Sequence, residues 1–437
     1  MKRIWQVFLL EILVLAFIRF LFRGSQLLVA GAVAAHIIIT VYFLQHSSKR
    51  IGTLLTLAFL ARVLFMLWDV YARHIYLLPN SGADTEMYFF HARRAAHDFS
   101  YLFVSNRAGI YSKVIGVLFF SVGAGSRLLG SYVNVLLGIS TVMLVQKSMA
   151  RLDVRPSSQW TVLLIASFFP NSLIMSAIFL REIFPTFFVA ASLYFFLRWF
   201  QTPRARDLVL TLVMLGLASM FHSGVIGIFL GYAYAFLFYN HGRRGFVFLP
   251  QRILSFILLV GVSALAVTTF QEDIFGKFQK VEEFSDIYQT ANLRDGGSAY
   301  LLGMEINTVG TFLMYAPIKM LYFLASPVPM DWRGPMDIFT FFADSMLYLA
   351  VVVSWFRSKR IRGSRRQLEA ALAFMLLGAV IIFGIGVSNA GTAVRHRQKL
   401  VPIFLIVQSV IWSRQNAVAE RLKANPRRHK SLGEIAK

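Results

Sequence analysis

The chain has 437 residues, 57% of them hydrophobic and 15% charged, with no cysteine and a formal net charge of +23. A soluble domain carries roughly 25% charged residues; here the shortfall runs along the whole chain, which excludes a soluble enzyme held by one tail anchor. The missing cysteines exclude disulfides, thiolate catalysis and cysteine metal sites, and the basic residues lie between apolar runs, so they report membrane orientation and not a nucleic-acid partner.

A membrane span needs about 20 apolar residues. Apolar runs lie near 4–22, 26–44, 51–70, 110–123, 128–146, 160–178, 183–200, 207–221, 223–239, 253–270, 311–326, 338–356, 369–387 and 400–413. They are continuous rather than alternating, which excludes a β-barrel. Hydrocarbon requires every backbone polar group to be satisfied within its own segment, so each run is a helix. The first follows Met1-Lys2-Arg3, contains Glu11 and Arg19, and lacks a small-residue cleavage site before Arg23. It reads as an uncleaved helix.

The basic linkers at 47–50, 151–155, 204–206, 243–244 and 357–366, with the tail from Arg414, belong on the cytoplasmic side. They reach it only if one run between Arg50 and Arg151, and one between Arg252 and Arg357, does not cross. The weak runs are 110–123, short and carrying Lys113, and 311–326, interrupted by Pro317 and Lys319. The expected fold is an all-α, polytopic transmembrane helix bundle of about twelve spans. Two juxtamembrane or re-entrant helices lie on its outer face, and both termini are cytoplasmic. One transmembrane domain covers 1–413, with outer loops at 77–127 and 271–337, and 414–437 forms a basic cytoplasmic tail. The polar stretch 271–310 is expected to be a small ordered loop.

Charges within spans are costly and face the bundle interior. Arg62 and Asp69, seven residues apart, share a helix face and are expected to be structural, with Glu11 a further counter-charge for Arg62.

The candidate chemistry lies on the outer side. Asp84 and Glu86 open the first outer loop, with Arg93 following. A carboxylate there either takes a proton from an acceptor hydroxyl, holds a divalent cation through oxygen, or caps a helix together with Thr85. Phe169-Pro170-Asn171-Ser172 is expected inside one helix that ends at Leu180. Arg181 and Glu182 then occupy a tight hairpin, as a solvated turn or as a phosphate contact. His222 sits in a very short turn, either as a satisfied buried ring or as a partner of a phosphate or sugar hydroxyl. The last outer loop places Arg395, His396, Arg397 and Lys399 within five positions on the side where cations are disfavoured. Orientation does not explain them; a phosphate headgroup or anionic lipid does. No nucleotide-binding Gly loop of the G-x-x-x-x-G-K type, no H-E-x-x-H and no G-x-S-x-G is present.

Asp84-Thr85-Glu86-Met87-Tyr88 with Ala92 and Arg93 resembles the first-loop pattern of the GT-C class of membrane glycosyltransferases, with Thr85 as one inserted residue. Asn134-Val135-Leu136-Leu137-Gly138, the run from Pro170 to Glu182, and Arg395-His396-Arg397 with Pro402 are similar to that class's later elements, in the same order. Arg181-Glu182, His222-Ser223, Gly297-Ser298-Ala299-Tyr300 and the run from Pro327 to Trp332 also resemble elements of exopolysaccharide and O-antigen polymerases.

Both resemblances imply a bacterial plasma (inner) membrane protein that moves glycosyl units from a polyprenyl-linked sugar donor to a saccharide acceptor on the outer face, within a lipid bilayer and without nucleic acid. Carried over, Asp84 is the general base and Glu86 its partner or substitute. Arg181 and Arg395 contact phosphate, and Arg93, Glu182, His222, His396 and Arg397 are the further expected substrate- and phosphate-binding residues, His396 and Arg397 among those that stabilise the phosphate charge. The alternative is a flippase that moves lipid-linked sugars without transfer, for which the mid-span Arg62 is the best argument.

Overall fold

The computed structural model describes residues 25–45, 49–104, 108–152, 154–269, 297–301, 304, 308–358 and 366–424, without the side chains of 262–269, 309 and 414–424. The expected helix at 4–22, the acids of 271–296 and the end of the tail from 425 lie outside the described residues.

Those residues form an all-α fold. In chain order the helices are α1 (Gln26–Gln45), α2 (Lys49–Leu67, running on as a π turn to Ala72), α3 (Ala83–His97), α4 (Gly109–Val122) and α5 (Arg127–Arg151). Next come α6 (Pro156–Phe168), α7 (Pro170–Met175), α8 (Ile183–Gln201), α9 (Ala205–Phe221), α10 (Phe229–Phe238) and α11 (Pro250–Thr269). The last are α12 (Val309–Ala325), α13 (Pro335–Thr340), α14 (Met346–Ser358), α15 (Arg366–Gly386), α16 (Ala390–Arg397) and α17 (Val401–Ala424). A two-stranded ribbon pairs Tyr239 with Phe246 around the Arg243-Arg244 turn.

Among the described residues six helices are long and apolar enough to cross a membrane: Gln26–Gln45, Lys49–Ala72, Arg127–Arg151, Ile183–Gln201, Pro335–Arg357 and Arg366–Gly386. The two runs expected not to cross form α4 and α12. At 14 and 17 residues and about 1.5 Å per residue they span ~21 and ~25 Å, less than the ~30 Å of a hydrocarbon core. α9, expected to cross, also has only 17 residues, so length alone does not separate the two kinds. The last helix outruns its expected end at 413 and continues to Ala424.

The segment 160–178 departs from its reading as a single helix. α6 stops at Phe168, and Phe169 leaves the helical region with ψ of 116° before α7 starts at Pro170. Proline lacks the N–H that would continue the ladder and disfavours helical geometry at the residue before it. After α7 the chain passes through turns to Arg181-Glu182, and α8 begins.

That turn is held by α5. Gly130, Asn134 and Gly138 recur every four residues and so share one helix face. A Cβ at Gly130 would collide with the Phe179 ring, and one at Gly138 with Ser176, so their missing side chains let the turn lie against the helix. Asn134, fully buried, donates from Nδ2 to the carbonyls of Ile178 (2.7 Å) and Leu180 (2.9 Å). Asn134→Leu should therefore strand the Leu180 carbonyl and cost about 1–3 kcal/mol. The measurement is thermal melting in detergent, and an unchanged melting point would contradict this role.

A second close approach joins the turn before α10 to α15. Gly227 and Gly378 face each other so tightly that a Cβ on either would strike the other's backbone carbonyl. Small residues of this kind let helix backbones meet where no hydrophobic effect drives association.

Candidate active site

α3 begins at a glycine the geometry requires. Gly82, the N-cap, has φ of +155°, a region that side-chain-bearing residues avoid. Thr85 then folds back: its hydroxyl donates to the Gly82 carbonyl (2.8 Å) and accepts from the Gly82 N–H (3.1 Å). Thr85 thus performs the capping, and Asp84 faces elsewhere.

Asp84 meets Arg395, 311 positions later in the chain, at 2.5 Å from Nη1. The other arm of the Arg395 fork, Nη2, donates to Glu182 at 3.2 Å. Glu182 is fully buried, and its Oε1 also faces Lys399 Nζ at 3.6 Å and Arg181 Nε at 3.9 Å. Three cations therefore surround two carboxylates. Burial on its own raises the Glu182 carboxyl, but Arg395, Lys399 and Arg181 overcome it and hold it down at about 2. Burial pushes the Lys399 ammonium down to about 7; Glu182 opposes that, and Arg181 and Arg395 add to it.

Two histidines complete this group. Lys399 Nζ lies 3.0 Å from His396 Nδ1, within hydrogen-bond distance. The His222 ring meets His396 edge-on at 4.3 Å, and Phe383 flanks both. Tyr88, buried and shifted up to about 12 chiefly by burial, lies under Arg181 with its ring centroid 5.8 Å away.

Donor capacity is left over: among the described residues Arg181 donates no hydrogen bond and Arg395 Nε has no partner, while one acceptor, Glu182 Oε2, is also unmatched. Buried polar groups are ordinarily satisfied, so this cluster can still grip an anion.

The segment 297–301 pins the loop that carries Arg395. Tyr300 N donates to the Ser388 carbonyl and Ala390 N to the Ser298 carbonyl, both close to 3 Å. Arg333 Nη2 reaches the Ala299 carbonyl at 2.7 Å, and Trp332 Nε1 the Pro327 carbonyl at 3.1 Å.

Asp84, Arg181, Glu182, His222, Arg395 and His396 thus come together, and Lys399 joins them. The remaining candidates do not. Glu86 points to the other side of α3, where Arg73 (2.5 Å) and Arg127 (2.6 Å) hold it. Burial works to raise its carboxyl, yet Arg127 and Arg73 leave it below its usual range. Arg93 is exposed on a later turn, its stem against Gly125. Arg397 is fully buried in the opposite direction, with Nη2 2.6 Å and Nε 3.0 Å from Asp344 Oδ2 and Nη1 2.9 Å from the Phe323 carbonyl. Among the described residues no group of three or more His, Asp or Glu side chains could hold a metal ion.

Arg62 and Asp69 do not pair. Asp69 lies in the π turn that ends α2 and takes Ser81 (2.5 Å) and Arg127 (3.7 Å), whereas among the described residues Arg62 bonds only neutral oxygens.

A pH dependence follows. A lysine whose folded value lies below its unfolded value sheds its proton on folding between the two, so stability rises with pH across that window. Lys399 contributes this rise from about 7 up toward the ordinary lysine value of 10.5. Glu182 has the opposite shape in acid: its stabilisation is complete above the ordinary carboxyl value of 4.5 and is lost as pH falls toward 2. Melting temperatures measured across pH 6–10 should slope less steeply in Lys399→Met than in the wild type; equal slopes would remove Lys399 as the titrating group.

Comparison with known proteins returned no matching family model, no matching curated protein and no matching solved structure.

Proposed function

We propose that the chain is an integral membrane glycosyltransferase or polysaccharide polymerase, with about twelve crossings and cytoplasmic termini. It would take glycosyl units from a polyprenyl-phosphate-linked donor on the outer face of a bacterial plasma membrane. The observation that carries this reading is the meeting of Asp84 with Arg395, beside the buried Glu182, which Arg395, Lys399 and Arg181 also face, so that three distant segments contribute.

The roles follow from charge and exposure. Asp84, with its side chain 43% exposed, is reachable by an acceptor hydroxyl. That oxygen attacks the anomeric carbon, the bond from that carbon to the phosphate oxygen breaks, and Asp84 takes the hydroxyl proton. Negative charge grows on the leaving phosphate, where Arg181, Arg395 and Lys399 offset it. Before the donor arrives, Arg395 is spent on Asp84 and Glu182. An incoming phosphate competes for the guanidinium and frees the carboxylate to act as a base. Glu182, buried beneath the cations, keeps their number from outrunning the fold's tolerance in the empty state. Glu86, Arg93 and Arg397 are given no part in the chemistry.

Purified protein in liposomes with an undecaprenyl-pyrophosphate-linked radiolabelled sugar and a saccharide acceptor tests this reading. Appearance of label in the acceptor supports transfer. Movement of the donor between leaflets without transfer would make the protein a flippase instead. Within a transfer assay, Arg395→Ala should raise the donor KM roughly tenfold to a hundredfold, the worth of a charge-assisted hydrogen bond. An unchanged donor KM would remove Arg395 from phosphate binding.

A further inference from the structure

Arg62 sits midway along α2 and is 1% exposed. Its Nε donates to Ser176 Oγ at 3.0 Å, and its Nη1 to the carbonyls of Ala58 at 2.8 Å and Ser167 at 2.9 Å. All three acceptors are neutral. Nη2 donates to no described residue, and Asp69, the carboxylate on the same helix, is taken by Ser81 and Arg127. A buried guanidinium without a counter-charge is costly, because its desolvation is offset only by dipoles.

Beside this guanidinium lies a cavity of about 20 Å³, bordered by Thr141, Ser172, Thr186 and Gln398 within otherwise apolar walls. Among the described residues no carboxylate lines it. Gly138 makes room on one side, since a Cβ there would stand 3.0 Å from Arg62 Nε. The hydroxyls of Thr141 and Thr186 are turned to their own helix carbonyls. The donors left are Arg62 Nη2 and the second N–H of the Gln398 amide, whose first goes to Ser172 Oγ at 2.8 Å. A cavity of this size admits one or two water-sized groups, which excludes a phosphate or a sugar.

We propose that this cavity binds one small monovalent anion of chloride size, held by Arg62 and Gln398, as the counter-charge of the buried guanidinium. The site is separate from the Glu182 cluster and does not depend on the transfer reading.

An anion that binds the folded state alone stabilises it in proportion to the logarithm of its concentration above Kd. The test is thermal melting of the full-length protein in detergent, with sodium chloride exchanged for sodium gluconate at constant ionic strength. The melting temperature should climb with chloride, and above Kd it should keep rising with the logarithm of the chloride concentration. Bromide should substitute, and Arg62→Gln should abolish the dependence. Identical melting in chloride and gluconate overturns the proposal, as does a full chloride response in Arg62→Gln. A response that appears only in Glu11→Gln also overturns it, because the counter-charge would then be Glu11. Should Arg62→Gln fail to fold, chloride-35 line broadening by the wild type decides. Broadening removed by bromide but not by gluconate supports the site, and its absence refutes it.

Discussion

Asp84→Asn should lower glycosyl transfer by about 10²–10⁴-fold, the range associated with a positioned general base. The substitution preserves shape and keeps one oxygen for Arg395, but the amide cannot accept the acceptor's proton. Folding should be nearly untouched. The carboxylate is 43% exposed and its ion pair with Arg395 is shared with solvent, so expression and melting should match the wild type. Glu86→Gln is the control. It lies two residues on in the same helix, yet its partners are Arg73 and Arg127, so its effect on transfer should be within severalfold. Assays of the two variants side by side measure this contrast. Full activity in Asp84→Asn, or equal losses in both, would remove Asp84 as the base.

Arg397→Ala should act on stability instead, destabilising the protein by about 3–5 kcal/mol. The guanidinium is fully buried and carries two hydrogen bonds to Asp344. Asn171 and Tyr348 complete the Asp344 shell through Oδ1. Removing Arg397 leaves a charged carboxylate buried among neutral donors. Replacing both partners, Arg397→Met with Asp344→Leu, should recover much of the loss, because an apolar pair of similar volume avoids the desolvation cost. Chemical unfolding in mixed micelles measures both. A double variant no more stable than the single one would show that the pair does more than neutralise itself. Donor KM in the folded fraction of Arg397→Ala should be unchanged, which separates it from Arg395.

Much of the helical architecture was legible in the sequence because apolar runs and basic linkers are coarse signals. The two short runs, 110–123 and 311–326, were recognisable by length and by Lys113, Pro317 and Lys319 alone, and they do form short helices. The break at Phe169 could have been read from Pro170, whose effect on its predecessor is local; the surrounding hydropathy masked it.

The site was legible by segment and less so by residue. Asp84, Glu182 and Arg395 were found because charges are rare in so apolar a chain. Neighbours two apart in the sequence do not share the site. On a helix, positions i and i+2 point about 200° apart, so Glu86 turns away from Asp84, and Arg397 away from Arg395. That rule was available once 83–97 and 390–397 were read as helices. Lys399, four residues beyond Arg395 and thus on the same face, follows from the same rule. Its burial against Glu182 does not, since nothing local announces which distant carboxylate a lysine will meet. The loss of the Arg62–Asp69 pair has a similar origin: a π turn at Trp68–Ala72 changes the facing that a seven-residue spacing implies.

The proposed function requires α3, the start of α8 and α16 to build one site that faces outward. The chain has no cysteine, so single cysteines report sidedness without background. Ala83→Cys and Thr392→Cys flank Asp84 and Arg395 at exposed positions, and Thr202→Cys marks the opposite helix ends. In right-side-out membrane vesicles an impermeant maleimide should label the first two and spare the third; inverted vesicles should reverse the pattern. Labelling of Ala83→Cys or Thr392→Cys only in inverted vesicles would contradict the account.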